Sequence, residues 1–314
     1  MDLPKQPILE SLTPFTRLLF SVLLLIACFS ATFLAGMLLA GPLFGVGISD
    51  VMSLMTDFEN ESTLRLLKYF QVGQSFGLFI FPPLLAGYFF SRNSWTYLRL
   101  NRSSRLPVYL LTFALMFVSL PFINWMIDLN QSVSLPGFLA GIEAWMKTAE
   151  EQAEKLTAAF LEMPTTGSFL FNLFMIALLP AIGEELLFRG LVQRLLREWL
   201  GNVHAAIFIA AFLLSALHMQ FYGFLPRMML GVMFGYLFYW SGSLWVPVFA
   251  HFINNGSAVI AAWLWQAGIL KSDYEDFGAT DNAYLIVLSV LLVVAVVFVL
   301  YRIRLKDMKI VDSN

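Results

Sequence analysis

Six side chains in the second half of the chain have the types and spacing of a hydrolytic site: Glu184, Glu185, Arg189, His218, His251 and Asn255. Ionisable groups inside apolar sequence are costly in a membrane and stand out as functional candidates. Glu184 and Glu185 follow an unbroken apolar run within Pro180-Ala181-Ile182-Gly183-Glu184-Glu185-Leu186-Leu187-Phe188-Arg189-Gly190. Neighbours on a helix point about 100° apart, so the two carboxylates cannot share one role. Glu185 and Arg189 are spaced i,i+4 with the acid first, the favoured order for a helical ion pair. Glu184 has no such local partner, and apolar surroundings make it a usable general base. Pro180 frees the carbonyl four residues earlier and, with Gly183, permits a kink just before the acids.

His218 lies late in the charge-free run that begins at Trp199, and His251 and Asn255 form an i,i+4 pair on one helix face. The third histidine, His204, sits beside the Gly201-Asn202 turn and reads as a surface loop residue. An antiparallel hairpin folded at that turn brings Glu184 and His218 to matching depth. His251, about eight residues beyond Ser241-Gly242-Ser243, is roughly 12 Å into its own helix. Each residue alone has a plainer reading: Glu184 as a structural carboxylate, His218 as an interfacial side chain near Gln220 and Tyr222, Arg189 as a cytoplasmic anchor. Together, a free carboxylate, an acid–arginine pair and two imidazoles supply the parts that activate water and stabilise an oxyanion.

The elements that must position these groups are membrane helices. Of 314 residues, 59% are hydrophobic and 13% charged, with a mean hydropathy of +0.75. A soluble chain of this size has no interior that could hide so much apolar surface. A formal net charge of −2 offers no basic surface for nucleic acid, so the expected environment and partners are lipid bilayer and membrane-associated protein or peptide, with no nucleic acid. The single cysteine, Cys28, allows neither a disulfide framework nor a cysteine-ligated metal site within one chain.

Residues 18–49, 69–91, 106–127, 163–183, 199–226, 228–270 and 282–301 contain no Asp, Glu, Lys or Arg. The sixth window is long enough for two helices and divides at Ser241-Gly242-Ser243, predicting an all-α polytopic membrane protein with about eight transmembrane helices. The first run continues from Leu18 to about Ala40, longer than the apolar region of a signal peptide, and reads as a retained helix. Alternating the loops between sides gathers 13 of the 19 Lys and Arg residues on one face: Lys5 and Arg17, Arg92 to Arg105, Arg189 to Arg197, and Arg302 to Lys309. The other face collects most acids, including Asp50, Asp57, Glu59, Glu61, Glu150, Glu151, Asp273, Glu275 and Asp276. Both termini are therefore expected in the cytoplasm. Trp145, Ala149, Ala153, Leu156 and Phe160 recur at helical spacing opposite Glu150, Glu151, Glu154 and Lys155, predicting one external amphipathic helix packed on the protein's own outer surface, with a substrate lid as the lesser alternative.

The pattern Glu184-Glu185-x-x-x-Arg189 within Glu-Glu-Leu-Leu-Phe-Arg-Gly, a histidine late in a later apolar helix, and His251-x-x-x-Asn255 resembles the CPBP intramembrane proteases. That family includes type II CAAX prenyl endopeptidases and bacterial bacteriocin-processing and immunity proteins. The resemblance covers about residues 165–265. It implies that Glu184 activates water with help from His218, that His251 and Asn255 bind the developing oxyanion, and that Glu185 and Arg189 hold the site together. It departs from the family pattern at Leu214, where a phenylalanine usually precedes the second-motif histidine by four residues, although Phe212 is nearby. The implied organisation is an N-terminal helical region at 1–164, a catalytic core at 165–265, and a loop, last span and basic tail at 266–314, in a bacterial inner membrane.

Glu184, His218 and His251 are also a legitimate zinc donor set. The sequence lacks a His-Glu-x-x-His helix, and the resemblance equally allows a glutamate-driven mechanism without metal. Two other functions compete with proteolysis: a non-proteolytic family member acting as an immunity or scaffold protein, and a proton-coupled transporter. A transporter is disfavoured because the intramembrane ionisable residues occupy only one half of the chain. Loss of catalysis is disfavoured because all six motif residues are present. Gly231-x-x-x-Gly235 provides either close helix packing or a narrow substrate approach.

Overall fold

A computed structural model describes residues 7–9, 11–47, 51 and 60–312, with side chains to residue 305. Lys5, Asp50, Asp57 and Glu59 of the charge pattern, and the side chains of Lys306 and Lys309, lie outside the described residues. No strand occurs among those described. The long helices are α1 (Pro14–Phe44), α2 (Glu61–Ser91), α3 (Leu106–Val118), α4 (Leu120–Gln131), α5 (Ala140–Phe160), α6 (Thr166–Leu200), α7 (Val203–Leu217), α8 (Phe224–Ser241), α9 (Trp245–Gln266) and α10 (Ala283–Asp312). Among the described residues, each apolar run read from the sequence is mostly helical. Four helices, α1, α2, α6 and α10, are long and apolar enough to cross a bilayer, and the pair α3–α4, bent by 44°, makes a fifth if it is one span.

The chain is an integral membrane protein, and its surface agrees. Leu19, Leu23 and Leu34 of α1, Phe208, Phe212 and Leu213 of α7, and Leu285, Leu291 and Phe298 of α10 are all exposed. Apolar surface on this scale needs lipid as its solvent.

Local chemistry sets the helix ends. Thr165 and Ser168 form a reciprocal capping box that starts α6. Gly201 ends it with φ +66°, and Asn202 then caps α7 by accepting from His204 N and Ala205 N. Gly242, at φ +65°, terminates α8 at the Ser-Gly-Ser turn.

As the hairpin turn at Gly201-Asn202 requires, α6 continues through the acids, running for 35 residues with Glu184 and Glu185 at its middle. One expectation changes: the freedom expected at Pro180 and Gly183 is used differently. Wide π-turns at Leu173–Leu178 and Leu186–Val192 flank the acid-bearing segment, the first absorbing Pro180. Gly183 instead lets α2 approach, because a Cβ there would lie 2.7 Å from Phe79 Cβ. Gly183→Ala is therefore expected to destabilise by about 1–3 kcal/mol. Thermal unfolding in detergent checks this; an unchanged midpoint would contradict the packing role.

The bundle has two chemically distinct ends. At one, Ser243 Oγ donates to Arg102 O (2.6 Å), Trp245 Nε1 to Leu100 O (2.9 Å) and Arg194 Nη1 to Tyr97 O (2.5 Å). Arg304 and Arg197 both lie over the Tyr239 ring there. Burial, then the charges of Arg102, Arg194 and Arg197, lowers the pKa of Arg99, which reports how closely these cations gather. At the opposite end α4, α5, the 218–223 turn and the 268–282 loop meet: Asn130 Nδ2 donates to Phe221 O (2.8 Å), Asn124 Nδ2 to Phe277 O (3.3 Å) and Tyr222 N to Glu150 Oε2 (3.2 Å). Arg189 belongs to neither end. It is 1% exposed, so its reading as a cytoplasmic anchor is corrected to a core residue.

Candidate active site

Helices α6, α7, α8 and α9 pack around the two acids. Glu185 is fully buried, and its Oε1 serves two partners, Arg189 Nη1 at 3.0 Å and His251 Nδ1 at 2.9 Å. The Nη1 contact is ionic and off the N–H axis; Arg189 Nη2 makes the directed bond, donating to Gly231 O at 2.9 Å. Gln193, one turn on, donates to Gly235 O at 3.2 Å.

The small-residue spacing on α8 explains this arrangement. A Cβ at Gly231 would meet Ala211 Cβ at 3.0 Å, and one at Gly235 would meet Ile207 Cγ2 at 2.7 Å. Of the two readings of Gly231-x-x-x-Gly235, close packing of α7 on α8 is therefore the one seen. The same glycine carbonyls serve the buried side chains of α6. Phe234, between the glycines, stacks on His251 with centroids 5.4 Å apart and carries the Arg189 guanidinium 5.6 Å from its ring centre.

Glu184 differs from its neighbour. It is 7% exposed and lines a cavity of about 690 Å³, and among the described residues it accepts no hydrogen bond. His218 Nε2 lies 3.9 Å from its Oε1 and His251 Nε2 lies 4.0 Å from its Oε2. A carboxylate accepts only, so Glu185 fixes the proton of His251 on Nδ1 and turns Nε2 toward the cavity. His218 is fixed in the same sense, its Nδ1 donating to Leu214 O at 2.9 Å. The Leu214 carbonyl does this whatever its side chain, and Phe212 points away, half exposed, against Phe224. Met219, with φ +54° unusual for a non-glycine residue, turns the chain directly after His218.

Asn255 is held against α6. Its Nδ2 donates to Ile176 O at 3.2 Å, the carbonyl that Pro180, lacking an N–H, leaves without its usual i+4 donor. Its Oδ1 accepts from Asn254 Nδ2 at 3.1 Å. Glu184, His218, His251 and Asn255 all line the one cavity, while Glu185 and Arg189 sit behind it. His204 lies apart and exposed, paired with Tyr236 at 2.6 Å.

Tetrahedral ligands about 2.1 Å from one ion stand about 3.4 Å apart. The Glu184–imidazole separations are wider, and among the described residues no group of three or more His, Cys, Asp or Glu side chains is arranged to hold a metal. The donors do not fit a metal site in this arrangement.

Sequence reasoning missed Arg227, in the first turn of α8. It lines the same cavity, its Nη2 donating to Gln220 Oε1 at 2.8 Å and its Nη1 to Gln220 O at 3.4 Å. A signal was present, since Arg227 is the lone charge between two long charge-free windows. Helix α5, read mainly as outer-surface packing, also reaches the site. Glu150 and Glu154, assigned to its solvent face, line the cavity.

Residues 166–257 match a family model described as type II CAAX prenyl endopeptidase Rce1-like. An uncharacterized protein of Bacillus subtilis (strain 168), YpbD, is 30% identical over 109 residues, which span 33% of this chain and 52% of that protein. The match thus covers about half the length of that relative. No solved structure matches the chain significantly. The matched segment contains all six residues of the motif, and over it the chain is similar to the type II CAAX prenyl endopeptidases.

Proposed function

We propose that the chain is an intramembrane endopeptidase in which Glu184 activates water to hydrolyse a peptide bond of a membrane-associated protein or peptide. The observation that carries this reading is the contrast between the two acids. Glu185 is spent on Arg189 and His251, whereas Glu184 is buried, faces two imidazole nitrogens and lines the cavity.

In this reading a water molecule hydrogen-bonds to Glu184 and to His218 Nε2, each at about 2.8 Å. Glu184 takes one proton as the water oxygen attacks the scissile carbonyl, and His218 aligns the attacking lone pair. The C–N bond then breaks and the proton held by Glu184 passes to the leaving amine. His251 Nε2 and the second N–H of Asn255 face the carbonyl oxygen and stabilise the oxyanion that forms there.

Eight membrane-spanning helices are part of the proposal, supported by the lipid-type side chains that α7 exposes despite its 15 residues. So is an inner-membrane orientation with the arginine-rich end and both termini in the cytoplasm. The catalytic core is residues 165–265, flanked by 1–164 and 266–314, and the substrate class includes prenylated and unprenylated termini.

The test is cleavage by the purified full chain in liposomes carrying membrane-anchored reporter peptides. Cleavage is expected to survive prior dialysis against a strong chelator, because no step uses a metal. Activity lost on chelation and restored by zinc would contradict the glutamate-only mechanism.

A further inference from the structure

The cavity that holds Glu184 runs to one end of the bundle. Its outer wall is built from α4, α5 and the 268–282 loop, through Asp128, Glu150, Glu154, Glu275 and Asp276. This is the end opposite the arginines of the 97–102 loop, the α6 terminus and Arg304. None of those five acids forms an ion pair among the described residues. Among the described residues, Arg227 is the one Lys or Arg in the wall, and it is already engaged by Gln220. At the inner end of the same cavity stands Glu184, more than nine-tenths buried and without a hydrogen bond among the described residues. Crowding is felt at the mouth: burial, then Glu150, Glu275 and Glu151, raises the Glu154 pKa. A cationic ligand relieves that repulsion and an anionic one adds to it.

We propose that the active chamber is entered from the acidic, extracytoplasmic end and selects cationic segments of membrane-attached polypeptides. The inference rests on the protease reading and on the orientation given above. A mouth lined by one sign of charge with apolar walls concentrates the opposite charge by about tenfold or more. It therefore sets which segments reach Glu184, while His218, His251 and Asn255 act on whatever peptide bond arrives.

The test uses the full chain in right-side-out vesicles, with Cys28→Ser and Asn254→Cys. Asn254 lines the chamber beside Asn255. A cationic, membrane-impermeant thiol reagent is expected to label it without permeabilisation, whereas Arg102→Cys at the arginine end is labelled only after permeabilisation. A short lysine-rich peptide is expected to slow labelling of Asn254→Cys by about tenfold under conditions where its glutamate analogue has no effect. The triple change Glu150→Gln, Glu154→Gln, Glu275→Gln removes that difference. Ser257→Cys, also in the cavity wall, gives the same measurement if Asn254→Cys fails to fold. Absence of labelling from outside overturns the access route, and equal slowing by the two peptides overturns the charge selection. Neither readout needs cleavage, so failure here is distinct from failure of the protease reading.

Discussion

Glu184→Gln is expected to lower peptide cleavage by about 10²–10⁴-fold while leaving the protein folded in the membrane. The change keeps side-chain shape and removes the base. Glu184 accepts no hydrogen bond among the described residues and meets its two imidazoles only at 3.9 and 4.0 Å, so an amide in its place breaks no hydrogen bond. Glu185→Gln is the informative contrast. It weakens an ion pair with Arg189 and the bond that orients His251, and should reduce the amount of folded protein along with its activity. Parallel rate and thermal-unfolding measurements on the two variants separate chemistry from support. Activity in Glu184→Gln equal to that of the unaltered protein contradicts the mechanism.

Arg189→Ala carries the largest expected effect on stability. It leaves the carboxylate of Glu185 buried and unpaired, removes the donor to Gly231 O, and opens a void beside Phe234. Losing one partner of a buried ion pair costs about 3–5 kcal/mol, enough to deplete folded protein. Arg189→Lys should rescue little, because a point charge on a flexible stem cannot serve the carboxylate and the carbonyl together. The level of detergent-soluble, monodisperse protein is the measurement. Normal levels of Arg189→Ala would show that the pair contributes little to the fold.

Much of the site was legible because its signals are local. The i,i+4 spacing of Glu185 and Arg189 and the absence of charge around the histidines are visible in one dimension. So are the turns at Gly201-Asn202 and Ser241-Gly242-Ser243, which fix how deep each side chain lies. What was hidden depends on partners distant in sequence. Gly183 resembles a hinge until Phe79 is placed against it. Arg189 resembles a headgroup anchor until Glu185, Gly231 and Phe234 surround it. The helix continues through the acids because Arg189 of the same helix and His251 of α9 engage Glu185 there, and only the second of these partners is distant in sequence. Asn255 could not be tied to Ile176, nor α5 to the chamber mouth, without the packing itself.

The most direct measurement compares peptide termini in the membrane proteomes of cells making the unaltered chain and cells making Glu184→Gln at matched levels. The account predicts new termini only with the unaltered chain, derived from membrane-associated polypeptides. Identical termini in the two cultures would contradict Glu184-dependent proteolysis and favour a scaffold or immunity role for the same fold.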